Sequence, residues 1–340
     1  MSSAGDMLEA DEAQAKRIGQ LEAEVARLQR LQGLLDVYHA AAGTPPDWAK
    51  PPRKVRHGRS ICNLLLSDLH LDEVCNPHEL GGLNAYNREI AEQRLRRWSE
   101  HVVRLATIHK HDWDGCNLLV DGDLCSGSIH EELSETNADV LPGTMVHWAP
   151  RLASAFRAVA DGAFKRLHVS VVVGNHGRMT KQKPSKRRGR ASWDWLLMQM
   201  VRSHLENDKR FSWDFAEGTY LFPQIYDRRM FLTHGDESGG GNGISKVWTP
   251  LMRVANGGSE LGVAHGIRPA YSAIGHWHQL AIAPQRGIVA NGSLVGWSEF
   301  AASYRFKPEP AQQAMWLEHP RHGTTAMMPV LVVDRAKEGW

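Results

Sequence analysis

Residues 61–70 read Ile61-Cys62-Asn63-Leu64-Leu65-Leu66-Ser67-Asp68-Leu69-His70. An apolar run with the length of a strand buried on both faces stops abruptly on a carboxylate and an imidazole two residues apart. The same form recurs downstream. The run 117–120 leads into Asp121-Gly122-Asp123, the run 167–173 into Gly174-Asn175-His176, the run 230–233 into His234-Gly235-Asp236, and the run 271–274 into Gly275-His276-Trp277-His278. One polar strand end is a weak signal, because any strand needs a polar terminus. Five in series, all of Asp, Asn and His and four of them beside glycine, exceed what capping explains. In open α/β sheets, sites gather outside the carboxyl ends of strands.

Working outward, helical periodicity covers about 86–110, 131–162 with a Pro142-Gly143 break, and 193–207. Further strands are expected at 220–226, 280–283, 287–290 and 329–333. Alternating strands and helices followed by a strand-rich half predict α/β layers around mixed sheets. No internal repeat or low-complexity tract is present.

The ordered set Asp68-Leu69-His70, Gly122-Asp123, Gly174-Asn175-His176, His234 and Gly275-His276-Trp277-His278 resembles the calcineurin-like metallophosphoesterase superfamily over about residues 61–300. The resemblance implies a four-layer α/β/β/α sandwich of two mixed sheets flanked by helices. It also implies two divalent ions. Asp68, His70, Asp123 and His278 would hold the first, and Asp123, Asn175, His234 and His276 the second, with Asp123 bridging. Carboxylates and neutral imidazoles suit Mn, Fe or Zn, with Mn the first expectation and Mg also admissible. Such a pair lowers the pKa of a shared water from about 15.7 towards neutrality and supplies hydroxide for in-line attack on phosphorus. His176, outside the ligand set, would pass a proton to the leaving oxygen.

Departures from the family pattern narrow the substrate. The second motif continues Leu124-Cys125-Ser126-Gly127 and the third Gly177-Arg178. Ser126 stands where the protein-phosphatase branch has the carboxylate that orients the histidine. The phosphate-clamping arginine and the acid after His176 are absent, which disfavours a protein phosphatase. Lipid-A-pathway pyrophosphatases share the Ser67–Leu71 opening but carry arginine at the His176 position. The texture is similar to phage-encoded metallophosphoesterases and to Mre/SbcD-type repair nucleases.

Arg178, Lys181, Lys183, Lys186, Arg187, Arg188 and Arg190 lie within 178–193 without an acid. A solvated loop is the plain reading of such a run. At the rim of a metal site the same charges meet a polyanion and bind it in a salt-dependent way. The expected function is a dimetal phosphodiesterase acting on nucleic acid, DNA first. The alternatives are a small-molecule phosphatase or nucleotide phosphodiesterase, and a non-catalytic binding or assembly module. The glycine-rich stretch 239–243 is a weak phosphate-loop signal. Asp236 and Glu237 are candidates to buttress ligands, and Asn291-Gly292-Ser293 resembles a common family ending.

The chain has 340 residues, 40 Lys+Arg, 38 Asp+Glu and 18 His, with 42% hydrophobic and 23% charged residues. This is a globular composition, which excludes extended disorder, collagen and disulfide scaffolds. No apolar run approaches the roughly 18 residues a spanning helix needs, so no membrane partner is expected. The acidic N-terminus lacks a signal-like apolar core. Four unpatterned cysteines read as reduced thiols in a cytoplasm, the host's if the chain is phage-encoded. The expected organisation is an amphipathic helix over 1–42, a basic Pro-rich linker over 43–59, the phosphoesterase domain over 60–300, and a C-terminal extension over 301–340 that completes or caps the sheet. Ile18, Leu21, Val25, Leu28 and Leu35 fall on a/d heptad positions with Gln32 at an a position, which suits either a homodimer helix or a docked one.

Overall fold

The computed structural model describes residues 4–41, 59–108, 112–239 and 247–340. The chain divides into two units, residues 1–56 and 57–340. Within the first, helix α1 spans Ala4–Ala41. The linker predicted over 43–59 lies outside the described residues except for its last one, and so does most of the glycine-rich stretch 239–243.

The second unit runs β1 (Arg59–Leu66), α2 (Arg88–Ile108), β2 (Asp112–Asp121), α3 (Glu131–Thr136), α4 (Leu141–Gly162), β3 (Leu167–Val172), α5 (Trp193–His204) and β4 (Phe211–Phe215). It continues β5 (Tyr220–Leu221), β6 (Gln224–Ile225), β7 (Arg228–Thr233), α6 (Trp248–Ala264), β8 (Pro269–Ile274), β9 (Ala281–Ala283) and β10 (Ile288–Ala290). It ends with α7 (Glu299–Ser303), β11 (Gln312–His319), β12 (Gly323–Leu331) and α8 (Arg335–Glu338). The first sheet has the order β12-β11-β1-β2-β3-β4, and the second β5-β7-β8-β10-β9 with β6 also on β7. Strands β1 to β4 are parallel, as are β7, β8 and β10. Both sheets are mixed because β11, β12, β5, β6 and β9 pair antiparallel.

Strand periodicity of two explains the layers. Leu65, Leu119 and Val172 point between the sheets, against Met230, Leu232, Ala273 and Val289. Leu64, Leu66, Leu118 and Val120 point outward to Trp98, Trp148, Phe156 and Leu197 on α2, α4 and α5. On the far side α6 sets Leu251 and Val254 against Phe231, Ile274 and Ile288. The result is the expected four-layer α/β/β/α sandwich. With both faces covered, β1 reads as a continuous apolar run.

Several local expectations change. The stretch 220–226 is two short strands, interrupted at Pro223, which has no N–H to donate to the ladder. Pro142-Gly143 does not break a helix: it lies in the first turn of α4, where an N–H would be unpaired anyway, and the break falls at 137–140. The strand expected at 329–333 runs instead over Gly323–Leu331, with Pro329 tolerated on an edge strand. Strands β4 and β11 and helix α6 are additional. Among the described residues no helix is long and apolar enough to cross a membrane.

Candidate dimetal centre

The parallel strands aim their carboxyl ends at one place. Asp68 and His70 follow β1, Asp123 follows β2, Asn175 and His176 follow β3, His234 follows β7, and His276 and His278 follow β8. Their ligand atoms form three overlapping groups: Asp68, His70 and His278; His70, Asp123 and His176; and Asp123, His234 and His276. Within each group the ligand atoms lie within 4.8 Å of one another. Residues 208 apart in sequence meet here, with His70 Nε2 and His278 Nε2 separated by 3.1 Å. His278 Nε2 is 3.3 Å from Asp68 Oδ1, and His234 Nε2 is 2.9 Å from Asp123 Oδ2.

The backbone at these turns is strained. Asp68, His70, Asp123, His276 and His278 all have φ between 44° and 69°. Left-handed non-glycine residues cost on the order of 1–3 kcal/mol each and collect at functional sites. The strain is held by a lattice of main-chain bonds. Asp68 N–H donates to the Gly122 carbonyl at 3.1 Å and His70 N–H to the Asp123 carbonyl at 3.1 Å. His176 N–H donates to Asp123 Oδ1 at 2.7 Å, and His276 N–H reaches both Asp68 oxygens at 3.1 Å. The loops press together so closely that a Cβ on Gly122 would lie 2.2 Å from Gly174 N, and one on Gly174 2.1 Å from Asp123 Oδ1. Only glycine fits at either position.

Each imidazole is set by what its other nitrogen touches. His234 Nδ1–H donates to the Asp121 carbonyl at 2.6 Å, and His70 Nδ1 lies 3.0 Å from Glu73 Oε2. Both therefore turn Nε2 inward. His176 Nδ1–H donates to the Ser126 carbonyl at 2.8 Å, so main chain supplies the orienting acceptor that a carboxylate supplies elsewhere. Burial pulls the His70 pKa down, but the carboxylates of Glu73, Asp123 and Asp68 outweigh it and lift it to about 9. Burial holds His176 at about 4, opposed by Asp123 and assisted by His70. His276 is likewise held at about 4 by burial and then by neighbouring His234. Asp123 stays well below the usual carboxylate range despite burial, because His234 and His176 face it.

This donor set fits a pair of divalent cations. It combines buried carboxylates, inward imidazole nitrogens and the Asn175 side-chain oxygen, which is buried without a hydrogen-bond donor. Asp123 and His70 each belong to two of the groups, and of the two only the carboxylate has a second oxygen to offer to a second ion.

No protein-family model matches this chain, and no curated protein matches it. Among solved structures it is similar to the sulfate thiohydrolase SoxB of Thermus thermophilus, at 10% identity and a TM-score of 0.32, over 83% of this chain. The chain spans 58% of the length of that structure. It is also similar to a dimetal phosphatase from Danio rerio, at 10% identity and a TM-score of 0.36, over 80% of this chain and 99% of that one. The functional reading rests on the site itself.

The basic loop looks different in three dimensions. Arg188 is buried and donates to Asp236 Oδ1 at 2.5 Å, and Lys183 Nζ lies 2.7 Å from Asp236 Oδ2. Arg190 pairs with Glu217 at 2.9 Å, and Arg178 donates to the carbonyls of Asn175, Thr180 and Lys181. Arg188 is thus a fold-holding cation rather than an exposed contact. Lys181, Lys186 and Arg187 remain exposed.

Two acids, Glu73 and Asp194, carry no signal in the sequence. Glu73 sets His70. Asp194, fully buried, accepts from the N–H groups of Leu124 at 3.1 Å and Cys125 at 3.2 Å through Oδ1, and from Gly174 at 3.1 Å through Oδ2. It ties the Asp123 loop to the Asn175 loop. Burial, and then Asp123, raise its pKa to about 6. Of the two acids expected to buttress ligands, Asp236 anchors the basic loop, and Glu237 accepts from Thr233 Oγ1 at 2.6 Å. Asn291 Nδ2 donates to Ser67 Oγ at 2.9 Å and Gln313 Oε1 at 2.7 Å, while its Oδ1 accepts from Ala314 N–H at 2.8 Å. It fastens the end of β10 beneath Asp68.

Proposed function

We propose that this chain is a metal-dependent phosphodiesterase acting on nucleic acid, with DNA the first substrate to test. The observation that carries the reading is the convergence of Asp68, His70, Asp123, His176, His234, His276 and His278 from five strand ends, with Asp123 shared between groups. Asp68, His70, Asp123 and His278 would hold one cation, and Asp123, Asn175, His234 and His276 the other. Two such cations neutralise phosphoryl oxygens and acidify a water near neutral pH. The chain's own part is to hold these donors rigidly through the main-chain lattice and to keep the His70 and His234 imidazoles Nε2-inward. His176 then handles the leaving group's proton at Nε2, since its Nδ1 is committed to Ser126. Lys181, Lys186 and Arg187 would attract the polyanion. Mn suits the mixed Asp, Asn and His donors. The four free, buried cysteines support a reducing compartment such as the cytoplasm.

A second reading, a small-molecule phosphatase or nucleotide phosphodiesterase, is favoured by one observation: four of the seven loop cations are engaged within the fold. The deciding experiment offers single- and double-stranded DNA, an aryl phosphate monoester and an aryl diester, each with Mn, Mg and Zn, against an Asp123→Ala control. Metal-dependent DNA cleavage absent from the control supports the nuclease. Intact DNA with monoester turnover transfers the assignment to the second reading.

A further inference from the structure

Helix α1, taken by itself, carries an apolar seam along one face. Ile18, Leu21, Val25 and Leu28 are 49%, 53%, 52% and 54% exposed. These four recur at alternating spacings of three and four, the a and d positions of a heptad. Isolated helices are stabilised mainly by packing an apolar face, and Gly19 and Gly33 each weaken this one by about 1 kcal/mol relative to alanine. A helix of 38 residues with such a seam calls for a partner.

We propose that the partner is the same helix of a second copy, paired as a parallel two-stranded coiled coil. Residue types select two strands: β-branched Ile18 and Val25 occupy a, and Leu21 and Leu28 occupy d. Two features select the parallel, in-register arrangement. Gln32 falls at a, where in the parallel arrangement it meets the same amide of the second copy and fixes the register. Arg17 falls at g and Glu22 at the following e, so each copy offers one ion pair to the other by symmetry. Antiparallel pairing centred on these four apolar residues sets Ile18 against Leu28 and Leu21 against Val25, and it brings Glu22 and Glu24 each beside the same residue of the second copy, two like-charge contacts and no such ion pair. This inference is independent of the phosphoesterase reading.

The test is sedimentation equilibrium of the full chain from low to high micromolar concentration. The expected result is a reversible rise from 38.0 kDa towards twice that mass. A Leu21→Lys/Leu28→Lys variant is expected to stay at the single-chain mass with unchanged near-ultraviolet circular dichroism. A Gln32→Cys variant is expected to give a disulfide-linked dimer on mild oxidation, because the four native cysteines are buried and do not compete. A single-chain mass at every concentration overturns the proposal. So does a dimer that survives the double lysine variant, a trimeric mass, or a dimer of the Gln32→Cys variant that oxidation fails to cross-link.

Discussion

The Nε2 atoms of His70 and His278 face each other at 3.1 Å. Two imidazole nitrogens at that distance either share one proton as an N–H···N bond or turn both lone pairs to one cation, and the three clustered ligand groups favour the cation. Chelation is therefore expected to lower the thermal midpoint and added Mn to restore it. Saturation at 100 times Kd stabilises by about 2.7 kcal/mol. His278→Ala is expected to reduce bound metal per chain in elemental analysis while the fold persists. Equal midpoints with and without metal would count against the site.

Asp123 and His176 separate metal holding from proton handling. Asp123→Ala is expected to abolish turnover and lower metal content. His176→Ala is expected to keep the metal and lower kcat by about 10²–10⁴-fold with little change in KM. Loss of metal in His176→Ala would make it a ligand instead.

Asp194 is a positioning residue. Asp194→Ala leaves the N–H groups of Leu124, Cys125 and Gly174 without their acceptor, at about 1–3 kcal/mol for each buried donor left unpaired. Denaturant midpoints and metal affinity should fall together. Asp194→Asn keeps one acceptor oxygen, so an intermediate loss of both is expected.

The basic loop contains two kinds of cation. Replacing Lys181, Lys186 and Arg187 by alanine is expected to leave stability unchanged while flattening the salt dependence of DNA binding. Arg188→Ala removes one partner of a buried pair with Asp236, and a loss of about 3 kcal/mol is expected in chemical denaturation. Identical behaviour of the two variants would remove the distinction.

A second buried ion pair gives a pH dependence away from the site. Burial alone would raise the Glu338 carboxyl, but Arg94, with the Asp334 N–H and the Trp340 indole, holds it below its ordinary value. A carboxylate depressed in the folded state contributes stability above its unfolded pKa, and the contribution is lost as pH falls through the folded value. Glu338→Gln should therefore destabilise at neutral pH, and the gap from the unaltered chain should narrow as pH falls below about 4. Acid titrations of both chains measure it.

The strand-end residues Asp68, Asp123, Asn175, His234 and His276 were legible because each sits where an apolar run stops, a pattern confined to a few consecutive residues. Their sharing of one edge followed from parallel strands, which the intervening helices announce. The partners were not legible. Glu338 reaches Arg94 across 244 residues, and Asp194 reaches Leu124 across 70. Strand β11 sits beside β1 through a register that pairs Leu65 with Ala314. Periodicity reports which face of an element is apolar, not which distant side chain will meet it. For the same reason the charge of the 178–190 loop was readable from its residues, while its division into anchors and free cations was set by where Asp236 and Glu217 came to lie. Local sequence determines element type and the residues at its end; packing of distant elements decides which charges are neutralised, because ion pairs and hydrogen bonds depend on separation in space.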